Sequence, residues 1–509
     1  MQEFDHHLLE YNVERVSLEC IVSKSERILF RLLTQRVSLF FFFFLGRVKI
    51  KQIVCFFLSN FFTSKLLKSM ANVPIVDFNC CLFKRNPFSE SIRVGEFSQE
   101  FIRKRKQTIE KGDLKAKVSS WSKLTSLDTL VNSIKNYSDE LDRLWLIFYW
   151  ISQNISYEKQ RGIDNHSAQS VFHHRKAICE GYSTLFEYLS NHVGIRCLKI
   201  HGFAKSTDQN EQDQSAFNRS NSHAWNSIQW SDKSWYLLDS TWGAGHLSSK
   251  HFVQKLDTYY FLTRPEQLVY THFPSDSKWQ LLPRNQQISS RQFANQPKVW
   301  STFFSAELEI IEPKSSSELK FDKQSGFISA LIRAPKHVLI NSSMQTKNRT
   351  CPSEQCLVNY LHDKQLWQCL FICKQRGRHA MTIFTRFDKS KQKKSRSAVE
   401  FYFNGKSNPQ KSFPQTYGSF QTLKCQLIEP LTGQLRKGTQ VTIHCRIENV
   451  ENVALQLDNN TWIHDGYDRS TGSFRKTITV PFKQITLNAK ENKRDKDQYS
   501  VLALFTVVS

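Results

Sequence analysis

The 509-residue sequence predicts an α+β fold: a helix packed on an antiparallel sheet, followed by two β-sandwich modules of immunoglobulin-like type. Three observations predict it. Apolar residues recur at helical spacing through 127–155 and again through 185–193, and the segments after 195 turn to β-formers and aromatics. From about residue 300 the pattern becomes short apolar alternations separated by turn signals, with no long helical stripe. Ile311-Glu312-Pro313 then recurs as Ile428-Glu429-Pro430, an offset of 117 residues. Each copy is followed by a polar stretch and an alternating strand (Val338-Leu339-Ile340; Val453-Ala454-Leu455-Gln456-Leu457), which fits two tandem sandwiches.

In chain order, we divide the sequence into an atypical extension (1–69), a basic lead-in (70–120), the α+β core (121–295) and the two β modules (300–410 and 420–509). The extension holds five consecutive phenylalanines, Phe40 to Phe44. Its apolar runs 39–45 and 53–58 are separated by Arg47, Lys49 and Lys51, and neither approaches the ~18 residues of a membrane span. Glu3, Asp5, Glu10 and Glu14 stand where a secretory signal would be basic. The next methionine is Met70, where ordinary sequence begins. We therefore expect 1–69 to be a non-essential extension or a mis-assigned start. The competing expectation is weak contact of 39–62 with a membrane surface, since bulky Phe and basic residues suit one.

Arg103, Lys104, Arg105 and Lys106 are read as a solvated lead-in to the first helix rather than a nucleic-acid patch. Leu127, Leu130, Val131 and Ile134 mark a helical face. Ser138 is the expected N-cap of the next stripe, Leu141, Leu144, Trp145, Phe148 and Ile151. Leu185, Phe186, Leu189 and Val193 share one face, with Gly194 at the C-cap position. Strands are expected over 197–203, 223–230 and 235–241, with 206–222 a surface loop. Thr263 and Glu266 have capping-box spacing and predict a short helix over 265–270.

Composition narrows the function. Hydrophobic residues make up 40%, with only 17 Gly and 13 Pro, which excludes collagen-like and Gly/Pro-rich disordered classes. A formal charge of +24 invites acidic partners but is spread along the chain, and no nucleic-acid recognition module accompanies it. Twelve cysteines in this length are too sparse for a disulfide-built protein. Cys351/Cys356 and Cys369/Cys373 invite a zinc reading, but Cys369, Phe371 and Cys373 alternate with Leu370 and Ile372, so we read them as thiols packed on one strand face. A reducing cytoplasm is expected, and Asn341-Ser342-Ser343 then carries no glycosylation message.

Three residues carry candidate chemistry. Cys179 opens a helix in Ala177-Ile178-Cys179-Glu180-Gly181-Tyr182-Ser183, His223 opens a strand in Ser222-His223-Ala224-Trp225-Asn226, and Asp239 ends one in Leu237-Leu238-Asp239-Ser240-Thr241-Trp242-Gly243. A helix start stabilises the thiolate, and an adjacent imidazole lowers the thiol pKa further. In an antiparallel hairpin, directly opposed residues have a constant index sum. For 223 and 239 that sum is even, which demands an odd loop, of three or five residues centred on Ser231. The two side chains would then share a face, ~5 Å apart at Cβ. The carboxylate fixes the imidazole tautomer and leaves its other nitrogen for the cysteine. Each residue alone has a plainer role: a packed thiol, a satisfied strand histidine, a turn aspartate. The combination in the order Cys, His, Asp, each at an element end, sets a catalytic reading beside these plainer ones. The Cys179 backbone N–H is a candidate oxyanion donor, and Gln169 is either a second donor or a solvated loop residue.

The segments 177–183, 223–230 and 235–243 resemble the three motifs of the transglutaminase-like superfamily of papain-fold cysteine enzymes, more closely its kyphoscoliosis peptidase/hillarin group. Tyr259-Tyr260-Phe261-Leu262-Thr263, His272-Phe273-Pro274-Ser275-Asp276 and Lys278-Trp279-Gln280-Leu281-Leu282 resemble that group's downstream signature. The resemblance covers roughly 120–509. It implies a papain/transglutaminase-like core, Cys179 as nucleophile, His223 as general base and acid, and Asp239 as orienter. It also implies protein substrates and a cytoplasmic, cytoskeleton-associated setting with cytoskeletal partners. No cofactor or metal is expected, because no acidic cluster with calcium-loop spacing stands near the three residues. The rival class is a non-catalytic cytoskeletal scaffold built on the same modules.

Overall fold

The computed structural model describes residues 92–509 apart from 159–165, 206–221, 249–250, 348, 388–394, 408–410, 458–460, 482 and 492–497. Of the residues before 92 it describes only the backbone of four strands. The chain forms two compact units, Met1–Glu90 and Ser91–Ser509. In the first, Asp5–His7, Val16–Ser23, Arg27–Thr34 and Ser38–Phe44 form an antiparallel sheet in sequential order. The phenylalanine run lies on its last strand, with Phe40 opposite Arg31 and Phe44 opposite Arg27. Residues 45–62 of the expected membrane-contact segment lie outside the described residues. Among the described residues, no helix is long and apolar enough to cross a membrane.

The second unit begins earlier than the sequence pattern suggested. Ser98 caps the helix Gln99–Glu110, and Gly112–Ser120 follows, sending Leu114 and Val118 into the core. Residues 99–120 of the basic lead-in are therefore part of the fold. Arg105 corrects the solvated reading directly: its guanidinium donates to the backbone oxygens of Phe261 and Thr258, and burial pushes its pKa down to about 10. A basic run hides this because three of its four cations do face water.

Leu127–Lys135 and Glu140–Asn154 are separate helices. Asp139, not Ser138, caps the second, accepting from the Asp142 N–H at 2.9 Å. From Leu144 to Ile151 that helix is buried nearly all round, because helices 99–120 cover one flank and Cys179–His192 the other. Cys179–His192 packs in turn on a four-stranded antiparallel sheet ordered His272–Pro274, Arg196–Ala204, Ser222–Gln229, Trp235–Leu238. Gly194 follows the helix at φ +84, a conformation that suits glycine. The helix expected over 265–270 is shorter, Pro265–Leu268, and uses no capping box: Thr263 donates to the Tyr259 carbonyl instead, and Pro265 at the first position sets the start.

Two β-sandwiches follow. The first pairs a five-stranded sheet (Lys298–Val299, Arg396–Gly405, Gly377–Phe387, Val338–Thr346, Arg349–Thr350) with a four-stranded one (Glu309–Glu312, Ile328–Arg333, Leu366–Phe371, Cys356–Leu361). The second repeats the plan. The 117-residue offset extends beyond the tripeptide: strands Lys298–Val299 and Gln415–Thr416, helices Ser301–Ser305 and Gly418–Thr422, and strands Glu309–Glu312 and Gln426–Glu429 all correspond. The Glu312–Pro313 and Glu429–Pro430 peptides are both cis. The modules thus open at 298 and 415, before the boundaries drawn from sequence, because two-residue edge strands show no periodicity.

The alternation at 369–373 divides two cores. Cys369, Phe371 and Cys373 pack inside the first sandwich, whereas Leu370 and Ile372 join Leu357 and Phe327 against the core of the second. The sandwiches are therefore docked through an apolar sheet face. Asn359 seals that junction, donating to the Leu427 carbonyl at 3.1 Å and accepting from its N–H at 3.0 Å. Among the described residues, the cysteines are free thiols.

Candidate active site

Cys179 is the first residue of its helix, and the N-cap residue, Ile178, provides no side-chain cap. The electropositive helix start therefore lies beside the sulfur. His223 lies on the central strand Ser222–Gln229. Asp239 follows the strand Trp235–Leu238 and caps the short helix Ser240–Ala244, its Oδ1 accepting from the Thr241 and Trp242 N–H groups at 2.8 and 3.1 Å. Its Oδ2 accepts from His223 Nε2 at 2.7 Å. That bond leaves His223 Nδ1 for the Cys179 thiol, which also meets the Ala224 N–H.

The pair meets by a different register from the one expected. Asn226 opposes Leu238 and Gln229 opposes Trp235, so the loop has five residues, 230–234, centred on Asp232 rather than Ser231. Lys233 at φ +69 and the bond from Trp230 N–H to the Ser234 carbonyl hold that loop. His223 and Asp239 are consequently diagonal rather than opposite. Parity is preserved, so they keep one face, and the long imidazole spans the diagonal.

The electrostatics fit an ion pair. Burial disfavours the Cys179 thiolate, but the hydrogen bond and charge of His223 outweigh it, and the thiol pKa falls below its ordinary value. Burial also lowers the His223 pKa, yet Asp239 and Cys179 carry it up to about 10. Asp239 is fully buried, and against that burial the His223 and His272 rings hold it far below the carboxylate range. The phenols of Tyr157, Tyr182 and Tyr260 around this charge are raised by desolvation and stay neutral.

His272 completes the site, although no motif or spacing in the sequence assigns it a role. Its Nε2 lies 3.0 Å from the same Asp239 Oδ2, and its Nδ1 lies 2.8 Å from Thr271 Oγ1. It stands 33 residues from Asp239 on the three-residue strand His272–Pro274, where no spacing rule points to it. Trp242 covers both imidazoles, with ring centroids 5.4 Å from His223 and 4.6 Å from His272. Trp225 backs them at 6.1 and 5.1 Å. Gly202, paired with both His223 and Pro274, lets the His272 strand approach: a Cβ there would fall 2.2 Å from the Phe273 carbonyl oxygen and 2.6 Å from the Trp225 ring.

Gln169 is exposed on the helix Ala168–His174, in keeping with the solvated reading. One ligand atom each from His223, Asp239 and His272 lies within 4.8 Å of the others, a spacing that could hold a metal ion. The two imidazole N–H groups already account for Asp239 Oδ2, however, so hydrogen bonding explains the cluster without an ion.

Two family models match. The Transglutaminase-like superfamily model covers residues 128–240, which include Cys179, His223 and Asp239 but stop short of His272. The KY-like, immunoglobulin-like domain model covers 290–416. Kyphoscoliosis peptidase of Homo sapiens is 30% identical over 217 residues, 41% of this chain and 32% of that protein. Lim and transglutaminase domain protein ltd-1 of Caenorhabditis elegans is 34% identical over 184 residues, 34% of this chain and 25% of its own length. Hillarin of Drosophila melanogaster is 32% identical over 140 residues, 25% and 16% respectively. The chain thus spans a third or less of the length of these curated relatives. It carries a transglutaminase-like superfamily domain followed by a KY-like, immunoglobulin-like domain, and it is similar to proteins of the kyphoscoliosis peptidase and hillarin group.

Proposed function

We propose that the chain is a cysteine-dependent acyl-transfer enzyme acting on protein substrates, with Cys179 as nucleophile, His223 as general base and acid, and Asp239 as orienter. The observation that carries the reading is the His223 imidazole held between a buried carboxylate and a thiol at a helix start. The thiolate adds to an amide carbonyl, and the helix-start N–H groups lie where the oxyanion develops. The intermediate collapses to a thioester as the His223 imidazolium gives its proton to the leaving amine. His223 then takes a proton from the acceptor that cleaves the thioester. Water as acceptor makes the enzyme a peptidase or deamidase, and a lysine amine makes it a cross-linking enzyme. We favour hydrolysis, on the similarity to a protein named a peptidase. The two docked β modules suit binding of protein partners, and we place the chain in a cytoplasmic, cytoskeleton-associated setting on its similarity to the hillarin group.

The same docked modules favour the second reading, a scaffold whose cysteine does not turn over. Mass spectrometry of candidate partner proteins incubated with the wild type and with Cys179→Ala separates the two. We expect new cleavage sites, deamidated glutamines or Gln–Lys links with the wild type, and none with the variant. Identical products from both would contradict the enzymatic reading.

A further inference from the structure

We propose that His272 is a positioning residue: its Nε2–H fixes the Asp239 carboxylate so that His223 stays directed at Cys179. This deepens the acyl-transfer reading and rests on it. A carboxylate offers about four lone-pair sites. Here four donors fill them: the Thr241 and Trp242 N–H groups on Oδ1, and the His223 and His272 rings on Oδ2. A group saturated in this way neither rotates nor admits water. Without His272, one side of Oδ2 has no donor in a buried site, and the carboxylate is free to swing away from His223.

The tautomer that this role needs is built in. The Asp239 carboxylate can only accept, so Nε2 carries the proton; in the neutral ring Nδ1 is then bare and accepts from the Thr271 hydroxyl 2.8 Å away. The ring is 2% exposed and packed edge-on against Trp225, with Trp242 tilted over it. Burial pushes its pKa down and Asp239 only partly opposes this, so the ring donates as a neutral imidazole and adds no charge to the site. Around Asp239, Tyr157, Tyr182 and Tyr260 are neutral phenols, and Glu180 beside Cys179 is paired with Lys199 and faces His201 at 3.6 Å.

The consequence for Cys179 has one sign. With His272 in place, the charge on Oδ2 is shared between two N–H groups, and the imidazolium keeps its alignment to the sulfur. Losing that donor increases the negative field at the thiolate and loosens the alignment, and both effects raise the thiol pKa.

The test is the pH dependence of Cys179 alkylation by iodoacetamide, resolved by peptide mass spectrometry on the full chain. This readout needs no substrate. In the wild type, the low-pH limb should lie below that of an ordinary thiol. His272→Phe keeps a ring but no N–H, and should move that limb up by about one unit, a roughly tenfold slower reaction on the limb. His272→Gln can place an amide N–H where Nε2 stood, and should hold the limb near the wild type. A packing role predicts the opposite order, with Phe the better replacement. Folded His272→Phe protein with the wild-type limb overturns the inference. If His272→Phe does not fold, Thr271→Val decides: it should shift the limb in the same direction by a smaller amount, and an unchanged limb overturns the role. An ordinary thiol limb in the wild type would overturn the acyl-transfer reading itself, and this role with it.

Discussion

Asp239→Asn should lower any Cys179-dependent turnover by roughly 10⁴-fold, the scale seen when the orienting acid of such a triad becomes an amide. The reason is donor arithmetic. Oδ1 accepts two backbone N–H groups, so the asparagine oxygen must take that place to keep the cap of Ser240–Ala244. Its NH₂ then faces two imidazole N–H groups, donor against donor. His223 escapes by moving its proton to Nδ1, the nitrogen that should receive from Cys179. Because a buried ion pair is broken on one side, the stability cost should be roughly 3–5 kcal/mol. That cost depends on pH. A His223 value raised from 6.5 to about 10 in the folded state means stability that is complete below about 6.5 and lost as the pH rises through 10. The stability gap between Asp239→Asn and wild type, measured by urea unfolding, should therefore narrow from pH 6.5 to 10. A gap that widens over that range would contradict the ion pair.

Trp225→Ala should cost roughly 3–5 kcal/mol, the range for emptying a fully buried aromatic site. Trp225 is 1% exposed and fills the space between Gly202, His223 and His272. Its loss leaves a cavity under both imidazoles, and the strand His272–Pro274 can settle into it only by drawing His272 off Asp239. Trp225→Phe retains a ring there and should cost clearly less. Urea midpoints of the two variants check the ordering, and equal midpoints would show that the ring does not organise the site.

Most of the architecture was written in local pattern, and the exceptions share a cause. Helical stripes at 127–155 and 185–193 and the tandem tripeptide at 311 and 428 are periodic signals, and each led to an element of the right kind. Arg105 misled because a run of cations reads as solvated, whereas one of them reaches backbone oxygens 153 and 156 residues away. Parity put His223 and Asp239 on one face, yet the register slipped by two residues because the loop is fixed by Lys233 at positive φ, which sequence does not announce. His272 stands out in the sequence only within a segment of the family resemblance. Its partner is distant in the chain, and its approach depends on the missing side chain at Gly202. Non-local contact, rather than weak local signal, hid what was missed.

The claim on which all this rests is that Cys179 exists as an activated thiolate. The most direct test is to treat the folded wild-type chain with a limiting thiol-reactive electrophile at neutral pH and compare labelling across its cysteines. Cys179 should be modified ahead of Cys197, Cys356, Cys369 and Cys373, which are buried and whose thiols burial pushes up. A Cys179 no more reactive in the folded protein than after unfolding would contradict it.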